Sequence, residues 1–178
     1  NVKVGGRKTT LAYAMLDSGA LILPSHEAIA ARRDALMVAH EDFIFADLSA
    51  NELSLYKSGV LIKTFAILAH AKEGTFFETP SGIYRIQSKE ENHFSTIGHV
   101  WMPWSMHFFG NYFIHGWPTC PDGRAVPPGY SGGCIRLSTA DAKELFALST
   151  GGMAVLTASG ESTMSATQNA QAQYFRRV

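Results

Sequence analysis

Apolar and polar residues follow two different periods along the chain. Over residues 25–40 the apolar positions recur at helical spacing, with Arg32 and Arg33 on the opposite side, which is the pattern of an amphipathic helix. From Phe43 onward several segments alternate residue by residue, as in β-strands that bury one face. The pattern therefore predicts one helix near residues 25–40 and a strand-rich region after it.

Turn motifs divide the strand-rich region into separate strands. Ser58-Gly59 is typical of a hairpin turn, and Thr79-Pro80-Ser81-Gly82 precedes another alternating run. Glu90-Glu91-Asn92 has no apolar residue and is predicted to be a solvated loop. The predicted strands cover residues 43–48, 52–57, 60–69, 83–87, 101–109, 111–115 and 153–158.

The segment from Gly116 to Gly133 has the composition of a loop and leads into a second helix. It contains four prolines, which prevent regular structure. Ser138 and Asp141 are typical of a capped helix N-terminus, and Gly151-Gly152 marks the end of that helix. Because strands outnumber helices, the fold class is predicted to be mainly β, with one or two short helices and an N-terminal helix.

The same patterns divide the chain into three parts. Residues 1–42 form an N-terminal extension that contains the helix, residues 43–158 form the main domain, and residues 159–178 form a polar C-terminal tail. A chain of 178 residues can bury a core of its own without disulfides. The first residue is Asn1 rather than Met, so we expect a processed or excised piece whose upstream signal or anchor would not be visible.

Composition and charge describe a globular protein without a strong electrostatic field. Hydrophobic residues make up 46% of the sequence and charged residues 17%. Fifteen basic residues balance fifteen acidic ones, so neither nucleic acid nor an anionic membrane is an expected partner. No segment reaches the roughly 20 apolar residues that a membrane-spanning helix requires. We expect a monomer with no membrane span in this part of the chain.

The residues best suited to chemistry lie at the two ends of the proline-rich loop. His115 ends an apolar strand, where a rigid sheet edge can present an imidazole base. Cys134 follows Gly132 and Gly133, whose backbone allows close approach of a substrate and leaves N–H groups for an oxyanion hole. A thiol, which ordinarily has a pKa of about 8.5, needs such a base to become a nucleophile at neutral pH. Arg136 has the planar guanidinium that binds carboxylates.

Other interpretations of these residues remain open. Cys120 either forms a disulfide with Cys134 or is a free thiol, and we favour the free thiol because a disulfide needs Cα atoms within roughly 7 Å. A zinc site formed by both cysteines, His107 and His115 would have suitable ligands, but their spacing matches no short zinc motif. Surface or core packing is the favoured role for three histidines before the loop: His93, His99 and His107.

The residues around this loop resemble the signature of the L,D-transpeptidase catalytic domain. His115-Gly116 is followed, after a loop that ends at residue 130, by Ser131-Gly132-Gly133-Cys134-Ile135-Arg136. The alternating strand 52–57, the turn at 79–84 and Trp104-Ser105-Met106 fit the same family. The likeness covers residues 43–157. It departs from the family at Gly132, where a second histidine is usual.

The resemblance implies a β-sandwich fold and acyl transfer on peptidoglycan. In this family the cysteine attacks the carbonyl of the third residue of a stem tetrapeptide, releases the terminal D-alanine and forms a thioester. An amine from another stem then resolves the thioester into a 3→3 cross-link, and neither a cofactor nor a metal is needed. The expected partners are thus a donor tetrapeptide and an amine acceptor, and the expected location is periplasmic or otherwise extracytoplasmic, at the cell wall.

Carried onto this sequence, the resemblance gives each motif residue a role. Cys134 is the nucleophile, His115 is the base, and the carbonyl of Gly116 orients the imidazole. The backbone N–H groups around Gly133 and Cys134 form the oxyanion hole. Substrate contacts are expected from four further residues: Arg136, Ser131, Trp117 and Met106. Two alternatives remain: an L,D-carboxypeptidase or peptidoglycan hydrolase in which water resolves the thioester, and a peptidoglycan-binding module without turnover.

Overall fold

Two large β-sheets and two helices make up the protein in a computed structural model, which describes residues 14–15, 21–22, 24–71, 78–129 and 131–159. In chain order the strands are β1 (Ala14–Met15), β2 (Leu21–Ile22), β3 (Phe43–Asp47), β4 (Glu52–Lys57), β5 (Val60–Ala66), β6 (Gly82–Arg85), β7 (Ser88–Ser95), β8 (Val100–Phe109), β9 (Tyr112–His115), β10 (Ile135–Arg136) and β11 (Ala154–Ala158). The helices are α1 (His26–Val38) and α2 (Thr139–Leu148). The predicted mainly β fold is confirmed. The tail predicted at 159–178 lies, apart from its first residue, outside the described residues.

The five-stranded sheet has the order β5-β4-β3-β11-β6. Strands β3 and β11 are parallel neighbours, whereas the other pairs in this sheet are antiparallel. The predicted hairpin turn joins β4 to β5: Ser58 and Gly59 both have positive φ, 50° and 74°. A Cβ on Gly59 would lie 2.2 Å from the carbonyl oxygen of Met37, so only glycine fits this close approach.

The four-stranded sheet has the order β10-β9-β8-β7, in which β9 and β10 are parallel. The prediction that Glu90-Glu91-Asn92 form a loop is wrong, because these residues lie within β7. Glu90 pairs with Ser105 of β8, and Asn92 pairs with Pro103. β7 is the edge strand of its sheet and exposes these polar side chains, so it lacks the apolar alternation by which a strand is recognised in a sequence.

The two sheets pack face to face on one hydrophobic core. Ile44 of β3, Ile114 of β9 and Leu145 of α2 are fully buried in it. Tyr84 of β6 meets Phe108 of β8 edge to face, with ring centroids 5.4 Å apart. Two sheets that share a buried apolar layer form a β-sandwich, as the resemblance implied.

Helix α1 covers the outer face of the five-stranded sheet. The side chain of Ser25 caps its N-terminus, and Ile29 and Leu36 are buried against β3 and β11. Successive residues of β3 face opposite sides, so Phe43 packs on the helix whereas Ile44 packs in the sandwich core. Residues 26–38 are therefore part of the folded body of the protein.

Helix α2 follows β10 directly and is fixed at both ends. The Oγ of Ser138 accepts a hydrogen bond from the N–H of Asp141 at 3.0 Å, which confirms the predicted cap. At the other end, Lys89 of β7 donates to the carbonyl oxygens of Phe146 and Ser149. A cation at the C-terminal carbonyls stabilises a helix, so α2 is tied to the sheet that carries the site described below.

Candidate active site

The parallel pair β9–β10 places the predicted reactive residues on one face of its sheet. In the register, Arg136 lies opposite His115 and Ile135 lies opposite Ile114. Ile114 and Ile135 are fully buried in the core. Residues two apart on a strand share a face, so Cys134, Arg136 and His115 point away from that core.

The face that these side chains share lines a cavity of about 620 Å³. The hairpin formed by β7 and β8, which continues the same sheet, also lines the cavity, through residues that include His93 and His107. Gly132 lies two residues before Cys134, and a Cβ placed there would meet no atom within 4 Å. A cavity of this size accommodates a peptide segment, and it is open on the side of Gly132.

The His115 imidazole is buried, with only 1% of the residue exposed, and it has a defined tautomer. Its Nδ1 lies 2.6 Å from the carbonyl oxygen of Gly116. A carbonyl only accepts, so Nδ1 donates and Nε2 is left as the proton acceptor. Burial lowers the pKa of His115 to about 4, with smaller lowering contributions from the nearby Arg136 and His93 and an opposing one from the Gly116 bond. The ring is therefore neutral at pH 7.

Burial also keeps the proton on the sulfur of Cys134. The residue is half-buried, and desolvation raises the pKa of the Cys134 thiol, although a backbone hydrogen bond at Phe113 and the charge of Arg136 oppose this. A neutral thiol thus faces the same cavity as a neutral imidazole. An ion pair between them is therefore disfavoured.

The thiol and the imidazole are not hydrogen-bonded to each other. The Cys134 thiol instead donates to the carbonyl oxygen of Asn111, with Sγ 3.7 Å from that oxygen. Catalytic hydrogen bonds are often long or absent in an empty site and shorten when a substrate binds.

The backbone at the nucleophile is held by two hydroxyl groups. Ser131 Oγ donates to the carbonyl oxygen of Cys134 at 2.5 Å and accepts from the N–H of Gly133 at 3.2 Å. Thr79 Oγ1, which is fully buried, donates to the carbonyl oxygen of Gly133 at 2.7 Å. A trans peptide directs its C=O and N–H to opposite sides, so this bond fixes the direction of the Cys134 N–H.

Only one of the two N–H groups predicted for the oxyanion hole is unengaged. The N–H of Gly133 is bound by Ser131, whereas the N–H of Cys134 has no acceptor among the residues that the structure describes. Gly133 itself has φ of 100°, a conformation that favours glycine. The Cys134 N–H is therefore the better donor for an anionic oxygen.

Arg136 is a buried cation with free hydrogen-bond donors. The residue is 8% exposed, and its Nε and Nη1 have no partner in the described structure. Its guanidinium lies over the ring of Trp117, 5.7 Å from the ring centroid. Burial of unpaired N–H groups is unfavourable, so the side chain is suited to bind an anion that enters the cavity.

The structure does not bring every expected contact residue to the cavity. Met106 pairs with Ile114, is fully buried, and packs in the sandwich core through the face opposite to the cavity. Ser131 holds the nucleophile backbone, and Trp117 reaches the site only under the guanidinium of Arg136. Substrate contact by Met106 is incompatible with this burial.

The two cysteines of the chain are both free thiols in the structure. Cys120 lies half-buried in the loop after β9, where its N–H donates to the carbonyl oxygen of Arg124 at 2.8 Å. In the described part of the chain, no three His, Cys, Asp or Glu side chains come together as they would around a metal ion. None of the helices described there is long and apolar enough to cross a membrane.

Three site residues were not predicted from the sequence. The backbone carbonyl of Asn111 accepts a hydrogen bond from the Cys134 thiol. Any residue type can do this, so nothing in the sequence indicated it. Thr79 belongs to the turn motif at 79–82, but its bond to a loop far along the chain depends on the tertiary fold. His93 was assigned to packing, whereas its ring lines the cavity.

Fold and site together define a class: a β-sandwich protein that presents a thiol, a neutral imidazole and a buried arginine on adjacent strands. The chain belongs to the YkuD family, the L,D-transpeptidase catalytic domain, whose family profile matches residues 41–156. The resemblance inferred from the motif is thereby confirmed. No curated protein sequence matches the chain.

Solved L,D-transpeptidase structures share this fold. The enzyme from Stackebrandtia nassauensis is 23% identical with a TM-score of 0.56, over 79% of this chain and 69% of that one. L,D-transpeptidase 1 from Mycobacterium tuberculosis is 21% identical with a TM-score of 0.52, over 66% and 60%. An L,D-transpeptidase in complex with imipenem is 20% identical with a TM-score of 0.54, over 66% and 58%. At these identities the likeness shows the fold alone. This chain spans less than two thirds of the length of the Mycobacterium tuberculosis enzyme and of the enzyme in complex with imipenem.

Proposed function

We propose that the protein is a cysteine-dependent L,D-transpeptidase that forms a thioester with a peptidoglycan stem peptide and produces 3→3 cross-links. The observation that carries the proposal is the placement of the Cys134 thiol and the neutral His115 imidazole on one face of the β9–β10 pair, in one cavity. The family supplies the substrate class, because its catalytic domain is that of L,D-transpeptidases.

Acylation requires the thiol to turn from Asn111 towards Nε2 of His115. As Sγ attacks the donor carbonyl carbon, Nε2 takes the thiol proton and an S–C bond forms. The C–N bond to D-alanine then breaks, and His115 returns the proton to the leaving amine. The unengaged N–H of Cys134 stabilises the oxygen that becomes negative in between.

Arg136 holds the donor by its charge. Arg136 lines the cavity, its Nε and Nη1 are buried without a partner in the described structure, and a stem peptide carries a carboxylate at its end. A carboxylate bound to the guanidinium compensates for the buried charge. The ring of Trp117 keeps the guanidinium in position for this contact.

The thioester is resolved by an amine of a second stem peptide. Attack by water on the same thioester gives an L,D-carboxypeptidase or a hydrolase, and a protein that binds the peptide without acylation is a binding module. Because the substrate is cell-wall material, we place the protein outside the cytoplasm, at the cell wall.

Incubation with a stem tetrapeptide tests the proposal directly. We expect intact-mass spectrometry to show Cys134 acylated by the tripeptide portion, together with released D-alanine and peptide dimers. Tripeptide without dimers would assign the protein as a carboxypeptidase, and consumption of added dimers would assign it as a hydrolase. Binding of the peptide without release of D-alanine would replace the enzyme proposal by that of a binding module.

Thr79→Val should slow acylation by about 10- to 100-fold, less than the loss of a whole oxyanion-hole donor. Valine has nearly the shape of threonine but cannot donate to the Gly133 carbonyl, so the peptide that carries the Cys134 N–H loses its fixed direction. The rate is measured as imipenem adduct formation by mass spectrometry. Thr79→Ser, which keeps the hydroxyl, is the matched control and should retain most of the rate. Equal rates for Thr79→Val and the wild type would remove this role.

A further inference from the structure

Two histidines besides His115 line the cavity, and their surroundings differ. His107 Nε2 lies 2.7 Å from the carbonyl oxygen of Gly110, so this nitrogen is used to hold the backbone of the hairpin. His93 Nδ1 lies 2.9 Å from Oε1 of Glu90, a carboxylate. A carboxylate accepts the Nδ1 proton, which leaves Nε2 of His93 as a proton acceptor. Of these two rings, only His93 is oriented by an acidic side chain.

The ring of His93 reaches across its sheet towards the reactive strand. His93 belongs to β7, yet it stacks on Phe113 of β9, with ring centroids 4.8 Å apart and an interplanar angle of 27°. Phe113 precedes His115 by two residues and shares its face of β9. His93 also lies near enough to His115 for its protonated form to lower the pKa of His115. The two imidazoles therefore stand over the same strand, in the same cavity.

The two imidazoles differ in their access to the cavity. His115 is almost fully buried beside the nucleophile strand, where it can exchange a proton with the sulfur and the leaving group. The side chain of His93 is 27% exposed, and the side chain of Glu90 is 51% exposed. A second substrate in the cavity can therefore reach the more exposed His93 imidazole, whose Nδ1 is held by the Glu90 carboxylate.

We propose that His93, oriented by Glu90, is a second base of the site and takes the proton of the amine that resolves the thioester. The inference rests on the proposed function and deepens it, because it gives the acceptor a place and a chemical class. A primary amine in its ammonium form is attracted by the Glu90 carboxylate and becomes a nucleophile when it loses a proton.

The step balances without a co-reactant. The ammonium group first gives one proton to water. The neutral amine nitrogen then forms a bond to the thioester carbonyl carbon, and a second proton passes from it to Nε2 of His93. The C–S bond breaks, and the sulfur of Cys134 leaves with the electron pair as a thiolate. That thiolate takes a proton from water through His115, and His93 releases one proton to water, so one amide and one thiol result.

The test separates acylation from resolution. His93→Asn keeps an amide that can donate to Glu90 but has no basic nitrogen, and His99→Asn is the matched control. His99 lies on the turn of the same hairpin with φ of 50°, which asparagine tolerates, and its side chain is exposed. Each variant is measured for imipenem acylation by mass spectrometry, and for dimer formation from stem tetrapeptide with increasing concentrations of acceptor.

We expect the acylation rate of His93→Asn to be within about twofold of the wild-type rate. Dimer formation should be about 100-fold slower, which is the lower end of the effect expected when a general base is lost. The loss should fall on kcat rather than on the acceptor KM, and added imidazole should restore part of it. His99→Asn should match the wild type in both assays. Normal dimer formation by an acylation-competent His93→Asn would overturn the inference alone, whereas absence of acylation in the wild type would overturn the proposed function.

Discussion

Cys134→Ala should fold normally and form no covalent adduct with imipenem, while the wild-type protein should gain the mass of one imipenem molecule. The expected effect is complete loss rather than a reduced rate, because no hydroxyl, thiol or amine remains at the position from which the sulfur attacks. Intact-mass spectrometry after exposure to imipenem measures the result. The imipenem complex of a structurally similar L,D-transpeptidase makes this compound a suitable probe.

Cys120→Ala is the matched control, since it removes the other cysteine, which is also half-buried. This variant should form the adduct at the wild-type rate, because Cys120 does not line the cavity. Transfer of the adduct to another residue in Cys134→Ala, or its loss in Cys120→Ala, would contradict the assignment of Cys134 as the nucleophile.

His115→Gln should lower the acylation rate by about 10²- to 10⁴-fold, the usual contribution of a general base. Glutamine keeps a donor for the Gly116 carbonyl but has no group that can take the thiol proton. The raised pKa of the Cys134 thiol makes this loss severe, because little thiolate exists without a base. His107→Gln changes another histidine of the same cavity and should acylate nearly as the wild type does. Near-normal acylation by His115→Gln would remove His115 from the mechanism.

The low pKa of His115 also predicts how stability depends on pH. The unfolded chain binds a proton at this residue below its ordinary pKa of 6.5, whereas the folded protein does not until about 4. The free energy of unfolding therefore has its full value above pH 6.5. It falls by about 3 kcal/mol in total as the pH decreases towards 4, because protonation favours the unfolded chain. Urea unfolding at pH 7, 5 and 4 should show that the stability difference between wild type and His115→Gln changes by this amount. Parallel pH dependence of the two proteins would mean that the imidazole is not buried as a neutral group.

Local patterns in the sequence were sufficient for elements that depend on neighbouring residues. The cap at Ser138 and the turn at Ser58-Gly59 rely on contacts within a few residues, and both were predicted correctly. The edge strand β7 was not recognised, because its polar side chains face solvent and give no apolar period. Such a strand is defined by its hydrogen bonds to β8, which leave no trace in composition.

The candidate site was predictable as a set of residues but not as an arrangement. The motif named Cys134, His115 and Arg136, whereas the short parallel pair that aligns them depends on strands separated by a long loop. The expectation for Met106 failed for a related reason. In a strand, a shift of one position along the chain moves a side chain to the other face of the sheet. Met106 pairs with Ile114 and therefore lies in the core.

The protonated state of the resting nucleophile has a consequence for its survival. Hydrogen peroxide oxidises cysteine to sulfenic acid, and it reacts far faster with the thiolate than with the thiol. A half-buried sulfur that keeps its proton and donates a hydrogen bond to the Asn111 carbonyl is therefore a poorer target for such an oxidant than a thiolate would be. Under the proposed mechanism a bound peptide brings the sulfur and the imidazole together, so the sulfur is expected to become reactive only during acylation.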